Sequence, residues 1–199
     1  MSDAIQPRAI KTRARLQDTA RAVIAETGYA ALRVEEVVRR AGVAKGTFFA
    51  HFKDKDALME RLIGAEMDRR LDALETGPAP RDTATLIDSL MPLMAFMTSE
   101  RYVFDVILRH SGAAARQEIG PIALALDRLV RKIADWIAKG EFRDDADPIL
   151  LAEGVQAFMA QAMALNFCAL HEAIPLRTRL APFLALWLAP ATGLDPAGQ

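Results

Sequence analysis

Cysteine is almost missing from this chain of 199 residues: Cys168 is the single thiol. An intrachain disulfide and a Cys-x-x-Cys metal pair are thereby excluded, and a reducing compartment is expected. Histidine is scarce as well. His51, His110 and His171 stand far apart, and none has a carboxylate at the spacing of a catalytic pair or metal site. Asp144, Asp145 and Asp147 do not make a calcium loop, because Ile149 and Val155 stand where such a loop needs Gly and Glu; helix capping accounts for them better. GVAKGT lacks the glycine and lysine spacing of a phosphate loop. No segment alternates with the period of a strand, and no internal repeat is present. The opening stretch MSDAIQPRAIKTRARL has basic residues but no apolar run of a secretory signal, which predicts a cytoplasmic protein. Neither an enzyme's catalytic constellation nor a metal or cofactor site is expected.

Net charge is also lacking, at −1, but its distribution is uneven. Residues 1–55 carry 11 Lys and Arg against 6 Asp and Glu, while residues 56–199 carry 14 against 20. A basic unit on an acidic body attracts a polyanion at one end and repels it at the other. Within the basic unit, Val34, Val37, Val38 and Ala41 fall on one face of a short helix. Gly42 follows as a residue suited to a left-handed turn, and a second short helix starts near Ala44. Two short helices joined at a glycine form a helix-turn-helix, whose second helix enters a major groove by its N-terminal end. Phe48 and Phe52 are four apart and are expected to pack inward. Lys45, Gly46, Thr47, Phe49 and His51 are then left as candidates to meet DNA.

The segment GYAALRVEEVVRRAGVAKGTFFAHFKDKDAL, from Gly28 to Leu58, resembles the N-terminal domain of the TetR (tetracycline-repressor-type) regulators without a gap. The pattern AGVxKGTxxxxF, at Ala41, Gly42, Val43, Lys45, Gly46, Thr47 and Phe52, carries the resemblance, with Lys55 and Leu58 after it. It implies an all-α chain: a three-helix DNA-binding domain over 1–55 and a helical effector-binding and dimerisation domain over 56–199. It implies further a homodimer on a double-stranded, palindromic operator, released as a repressor by a small molecule, with Lys55 as a phosphate contact. Two positions depart from the family. Arg33 replaces the usual Thr at the start of the second helix and cannot accept from its free N–H groups, though it could reach a phosphate. Glu36 keeps the other half of that capping box, and Glu35 to Arg39 and Glu36 to Arg40 are spaced as ion pairs. Phe49 replaces a Tyr and lacks its hydroxyl.

The rest of the chain reads as helices separated by breakers. The first runs from Pro7 to Thr27, with Leu16, Ala20, Val23, Ile24 and Thr27 on one face and Arg8, Lys11, Arg13 and Arg15 either solvated or along DNA. A fourth runs from Lys55 to about Glu75, with Leu58, Leu62, Leu71 and Leu74 buried. Pro92 predicts a kink in the next helix, and a weakly patterned Gly/Ala stretch precedes Pro121. Asp147 and Pro148 open a helix, apolar on all sides, that is expected to reach Leu170 and to contain Cys168. Its scattered polar residues favour burial over a membrane. With the following Pro175–Leu188 helix and its Ala181, Ala185 and Ala189 stripe, it suggests a two-fold bundle between subunits. Met94, Met97, Phe104, Trp136, Phe158, Met159, Met163 and Phe167 supply large apolar surface that is core or, as the resemblance implies, the lining for a small apolar or aromatic effector. The competing reading is a helical enzyme or protein-binding adaptor that does not bind DNA.

Overall fold

The computed structural model describes residues 7–111, 119–171 and 174–189, and all the regular structure in them is helical. The elements are α1 (Pro7–Thr27), α2 (Val34–Ala41), α3 (Lys45–His51), α4 (Lys55–Thr76), α5 (Thr83–Met97), α6 (Arg101–Arg109), α7 (Pro121–Lys139), α8 (Pro148–Asn166) and α9 (Leu176–Leu188). Side chains place the boundaries. Asp54 opens α4 by accepting the Ala57 N–H at 2.8 Å, and Asp82 and Thr85 form a reciprocal capping box at the start of α5. Asp147 accepts from Ile149 at 2.7 Å, with Pro148 in the first turn of α8 where no N–H is needed.

α1, α2 and α3 close over a small core of Leu16, Ala20, Val23, Leu32, Val37, Val38, Phe48 and Phe52. α4 joins it to the body: Leu58, Met59 and Leu62 are buried in its first turns, Met67 and Leu71 farther on. The helix lies against α7 along most of its length. Two features allow that approach. Gly64 carries no side chain where a Cβ would come within 2.7 Å of the Pro121 ring. At the far end Arg128 of α7 donates to Asp72 at 2.7 Å and Glu75 at 2.9 Å, with Asp68 at 3.5 Å. α8 packs between α7 and α9, and α9 returns onto α5. At the α8–α9 crossing Gly154 leaves room for Trp187, whose indole N–H donates to the Leu151 carbonyl at 3.0 Å.

Several expectations need correction. α8 stops at Asn166, so Cys168 lies in the turn after it, half-buried, and not in an apolar helix. Thr27 is exposed and its hydroxyl donates to the Val23 carbonyl at 2.9 Å; Leu74 is only half-buried. By contrast, Pro92 and Pro182 lie inside α5 and α9, where the sequence places them. The Gly/Ala stretch before Pro121 lies largely outside the described residues. α8 is long and apolar enough to cross a membrane, but here it is a packed helix with Leu151, Ala152, Val155, Met159, Ala162 and Met163 buried.

The contact at Gly64 can be tested. On a free helix surface, Gly→Val is mildly stabilising. Here the branched side chain meets a rigid proline ring, so Gly64→Val is expected to lower unfolding stability by about 1–3 kcal/mol in urea titrations.

Candidate nucleic-acid interface

The turn between α2 and α3 is built as the sequence predicts. Gly42 takes φ 61° and ψ 42°, and its N–H and that of Val43 return to the carbonyls of Arg39 and Val38 at 3.2 and 3.1 Å. Phe48 and Phe52 point inward, with ring centroids 5.4 Å apart. The outer side of α3 then presents Lys45, Gly46 and Phe49 in the open, with Thr47 and His51 half-buried. A Cβ on Gly46 would meet nothing within 4 Å, so another backbone could approach here without steric opposition. Phe49 is 47% exposed, edge-on to Phe48.

Electrostatics around α2 differ from the sequence expectation. Arg33 is the N-cap of α2 and its side chain makes no capping bond. Glu36 does not serve as half of a capping box. Its oxygens accept from Arg39 at 2.9 and 2.6 Å and from Arg40 at 2.5 Å, and Arg40 reaches on to Glu26 at 2.7 Å. Those guanidinium hydrogen bonds, Arg39 first and Arg40 next, hold the Glu36 carboxyl down at about 2. Glu35 pairs with Lys45 across the turn at 2.6 Å, not with Arg39, and that bond lowers its pKa.

α1 contributes what the sequence left undecided. Arg8, Lys11 and Arg15 line one cleft with Gly42, Val43 and Thr47, so their charges border the leading turn of α3. They make no ion pair among the described residues. Arg13 differs: its guanidinium sits 5.3 Å from the centre of the Phe52 ring, where burial, and then Arg61, lower its pKa.

The α2–α3 unit lies within a known domain. The model of bacterial regulatory proteins of the tetR family matches residues 16–62. The chain is similar to the fatty acid metabolism regulator protein of Bacillus subtilis, at 29% identity over 136 residues, 65% of this chain and 70% of that protein. An HTH-type transcriptional regulator of Haemophilus influenzae is 27% identical over 78% of each chain. Among solved structures, a TetR-family regulator from Pectobacterium atrosepticum superposes with a TM-score of 0.60 at 26% identity, over 91% of this chain and 92% of that one. Over residues 16–62 the chain belongs to the TetR family. It is a transcriptional regulator with a DNA-binding helix-turn-helix, in a family of regulators and not of enzymes.

This TetR-type domain is held to the body by a polar seam. Glu100, the N-cap of α6, does not cap its own helix. Its carboxylate accepts the backbone N–H groups of Tyr29 and Ala30 at 2.7 and 2.9 Å, just past the left-handed Gly28. Lys55 belongs to the same seam. Its ammonium donates to the Ala30 carbonyl at 3.2 Å and lies 4.7 Å from the centre of the Tyr102 ring, and desolvation there lowers its pKa. Tyr102 donates to Asp56 at 3.3 Å, and burial, then the Asp56 charge, push its phenol up to about 12. Arg109 reaches Asp56 at 3.1 Å.

Between α6, α7 and α8, with Met97 of α5, the body carries a half-open cavity of about 280 Å³. Of the expected lining, Met97, Phe104, Met159 and Met163 are there. Met94 and Trp136 are plain core, Phe158 turns to α9 to stack on Phe183, and Phe167 stacks against Phe104 without lining the space. Ser111, Glu153 and Gln156 line it without having been foreseen. His110, expected to be isolated, has Nδ1 at 3.5 Å from Glu60.

The Glu36 cluster predicts an acid-side signature. Its folded pKa lies below the ordinary 4.5, so the pairing contributes fully above that value and is lost as pH falls toward about 2. NMR titration of the Glu36 carboxyl should give a midpoint near that lower value, and the Arg39→Ala/Arg40→Ala double variant should return it to the ordinary carboxylate range.

Proposed function

We propose that the chain is a cytoplasmic, homodimeric repressor that binds a palindromic operator and is released by a small molecule. The division is taken as 1–55 for DNA reading and 56–199 for effector binding and dimerisation. The observation that carries the reading is the meeting of two helices. The open leading turn of α3, with Lys45, Gly46 and Thr47, adjoins the cationic face of α1. Lys45, Thr47, Phe49 and His51 are assigned to the groove and its edge, with Gly46 allowing close approach. Arg33, Arg8, Lys11 and Arg15 are assigned to phosphates. Lys55 can reach a phosphate only by leaving Ala30 and Tyr102, so its contribution is smaller than the family resemblance implies.

Release needs a route from the cavity to the reading domain, and α6 supplies one. Phe104, Ile107 and Leu108 line the cavity, while Glu100 at the start of α6 holds the α1–α2 turn. A ligand that shifts α6 acts on that hold, so α6 is a more direct lever than α4, which Arg128 and Gly64 fix to α7. An effector that favours the non-binding arrangement by about 2.7 kcal/mol changes operator affinity roughly a hundredfold. Dimerisation is assigned to α8 and α9, whose outer side leaves Leu150 (55%), Phe183 (38%) and Leu186 (84%) exposed beside Ala185.

The reading is tested by selecting bound fragments from the source genome and reading their symmetry. Lys11→Ala/Arg15→Ala should weaken all sites alike and lower the salt slope by about two per subunit, whereas Lys55→Ala should change it less. Thr47→Ala should alter preference at one base step per half-site; an unchanged sequence logo would assign Thr47 to the backbone. Leu186→Glu or Ala185→Glu should give monomers in sedimentation runs, and a soluble dimer of unchanged affinity would place the interface elsewhere.

A further inference from the structure

The cavity has two chemically different ends. Phe104 of α6 stacks on Phe167, which follows directly on α8, with ring centroids 5.6 Å apart. The first turn of α6 is thus beside the end of α8, and the two helices run in opposite senses along the space. One end is therefore formed by Met97, Phe104 and Met163, the other by Ser111, Gln156 and Glu153. The polar end is rich in acceptors. The Ser111 hydroxyl donates to the Leu108 carbonyl at 3.0 Å, which leaves its own lone pairs to accept. Gln156 offers an amide oxygen, and Glu153 a carboxylate with no ion pair or hydrogen bond among the described residues. The same residues supply no Lys, Arg or His to the lining. Among the described residues, an anionic head would therefore meet one carboxylate and no counter-charge, whereas a cation would meet a charged partner in Glu153.

We propose that the effector is a cationic amphiphile: an apolar body in the methionine and phenylalanine end, with an ammonium-type head held by Glu153 and assisted by Gln156. This rests on the ligand-released reading above and names the chemical class that the site selects. The eight residues from Phe104 to Ser111 span roughly 10 Å at helical rise, and a cavity of about 280 Å³ is at the small end for ligand pockets. Both fit a medium-length chain or one or two rings in place of a long lipid.

Octylamine, octanol and octanoate present one chain with three heads, and calorimetry on the dimeric protein compares them. Octylamine should bind at least about tenfold tighter than octanol, and octanoate more weakly than both, as a charge-assisted contact requires. Glu153→Gln, at an exposed position, should remove the amine's advantage and leave octanol unchanged. Ala160→Phe, at the half-exposed wall, should weaken the amine and octanol together. Equal binding of the three heads, or an amine preference that survives Glu153→Gln, overturns the proposal; if octanol is still lost in Ala160→Phe, the cavity remains a ligand site without charge selection. No binding by any head, or amine binding unaffected by Ala160→Phe, removes the site itself. Repeating the amine titration with operator DNA tests the reading beneath: weakened binding supports an effector role, and unchanged affinity overturns that role even where the order of heads holds.

Discussion

The arrangement of this molecule depends on one carboxylate. Glu100 starts α6 and holds two backbone N–H groups of the α1–α2 turn, a charge-assisted contact stronger than a neutral pair. Its removal would leave the partly buried Tyr29 donor unsatisfied, at a cost of about 1–3 kcal/mol. Gly28 makes the contact possible: at φ 83° it turns the chain so that both donors face the acid, and a Cβ there would come within 2.9 Å of the Glu100 oxygen. Around this latch sit the Tyr29–Phe96 edge contact and the Lys55, Asp56, Tyr102 and Arg109 network. The orientation of the reading helix relative to the body is thus held by polar groups at one corner, while α4 is fixed to α7 by close packing at Gly64 and by the Arg128 ion pairs.

The helices were legible in the sequence because their signals are local. Asp54, Asp147 and Gly42 announce boundaries within three residues of themselves, and Val34, Val37, Val38 and Ala41 announce a face by spacing alone. The latch was not legible, because Glu100 lies 70 residues from Ala30 in an unremarkable Ser-Glu-Arg stretch. The same distance hid the partner of Glu35: the i,i+4 rule points to Arg39, but the turn at Gly42 brings Lys45 nearer. For α1 the signal was present and unused. Arg8, Lys11 and Arg15 follow at i, i+3 and i+7 and must share a face, while Arg13 falls on another, where it covers Phe52.

The cavity shows a second limit of periodicity. Met94 and Met97 are both buried on α5, yet only Met97 lines the space; Phe158 and Met159 are adjacent on α8, yet point to different neighbours. Apolar character tells that a side chain leaves water, not which wall it joins. The polar lining was missed for the complementary reason: Glu153 and Gln156 stand in a helix whose apolar run draws attention away from them, and only the third dimension brings Ser111, just past α6, near.

α8 brings these strands together. Leu151, Val155, Met159 and Ala162 enter the core, Gln156, Ala157, Ala160 and Met163 border the cavity, and Gly154 and Phe158 meet α9. Three different neighbours take up most of its faces, yet Leu150, Ala157 and Ala164 stay exposed beside Glu153 and Gln161, so even its open stripe is largely apolar. Hydropathy alone therefore cannot separate it from a membrane span. What separates them is the placement of its polar residues: Asp147 closes the first turn, and Glu153 and Gln156 fall on the cavity side. The neighbours of α8 account for its buried faces, and the apolar residues of its exposed stripe, Leu150, Ala157 and Ala164, are the excess that the proposed two-fold contact would cover.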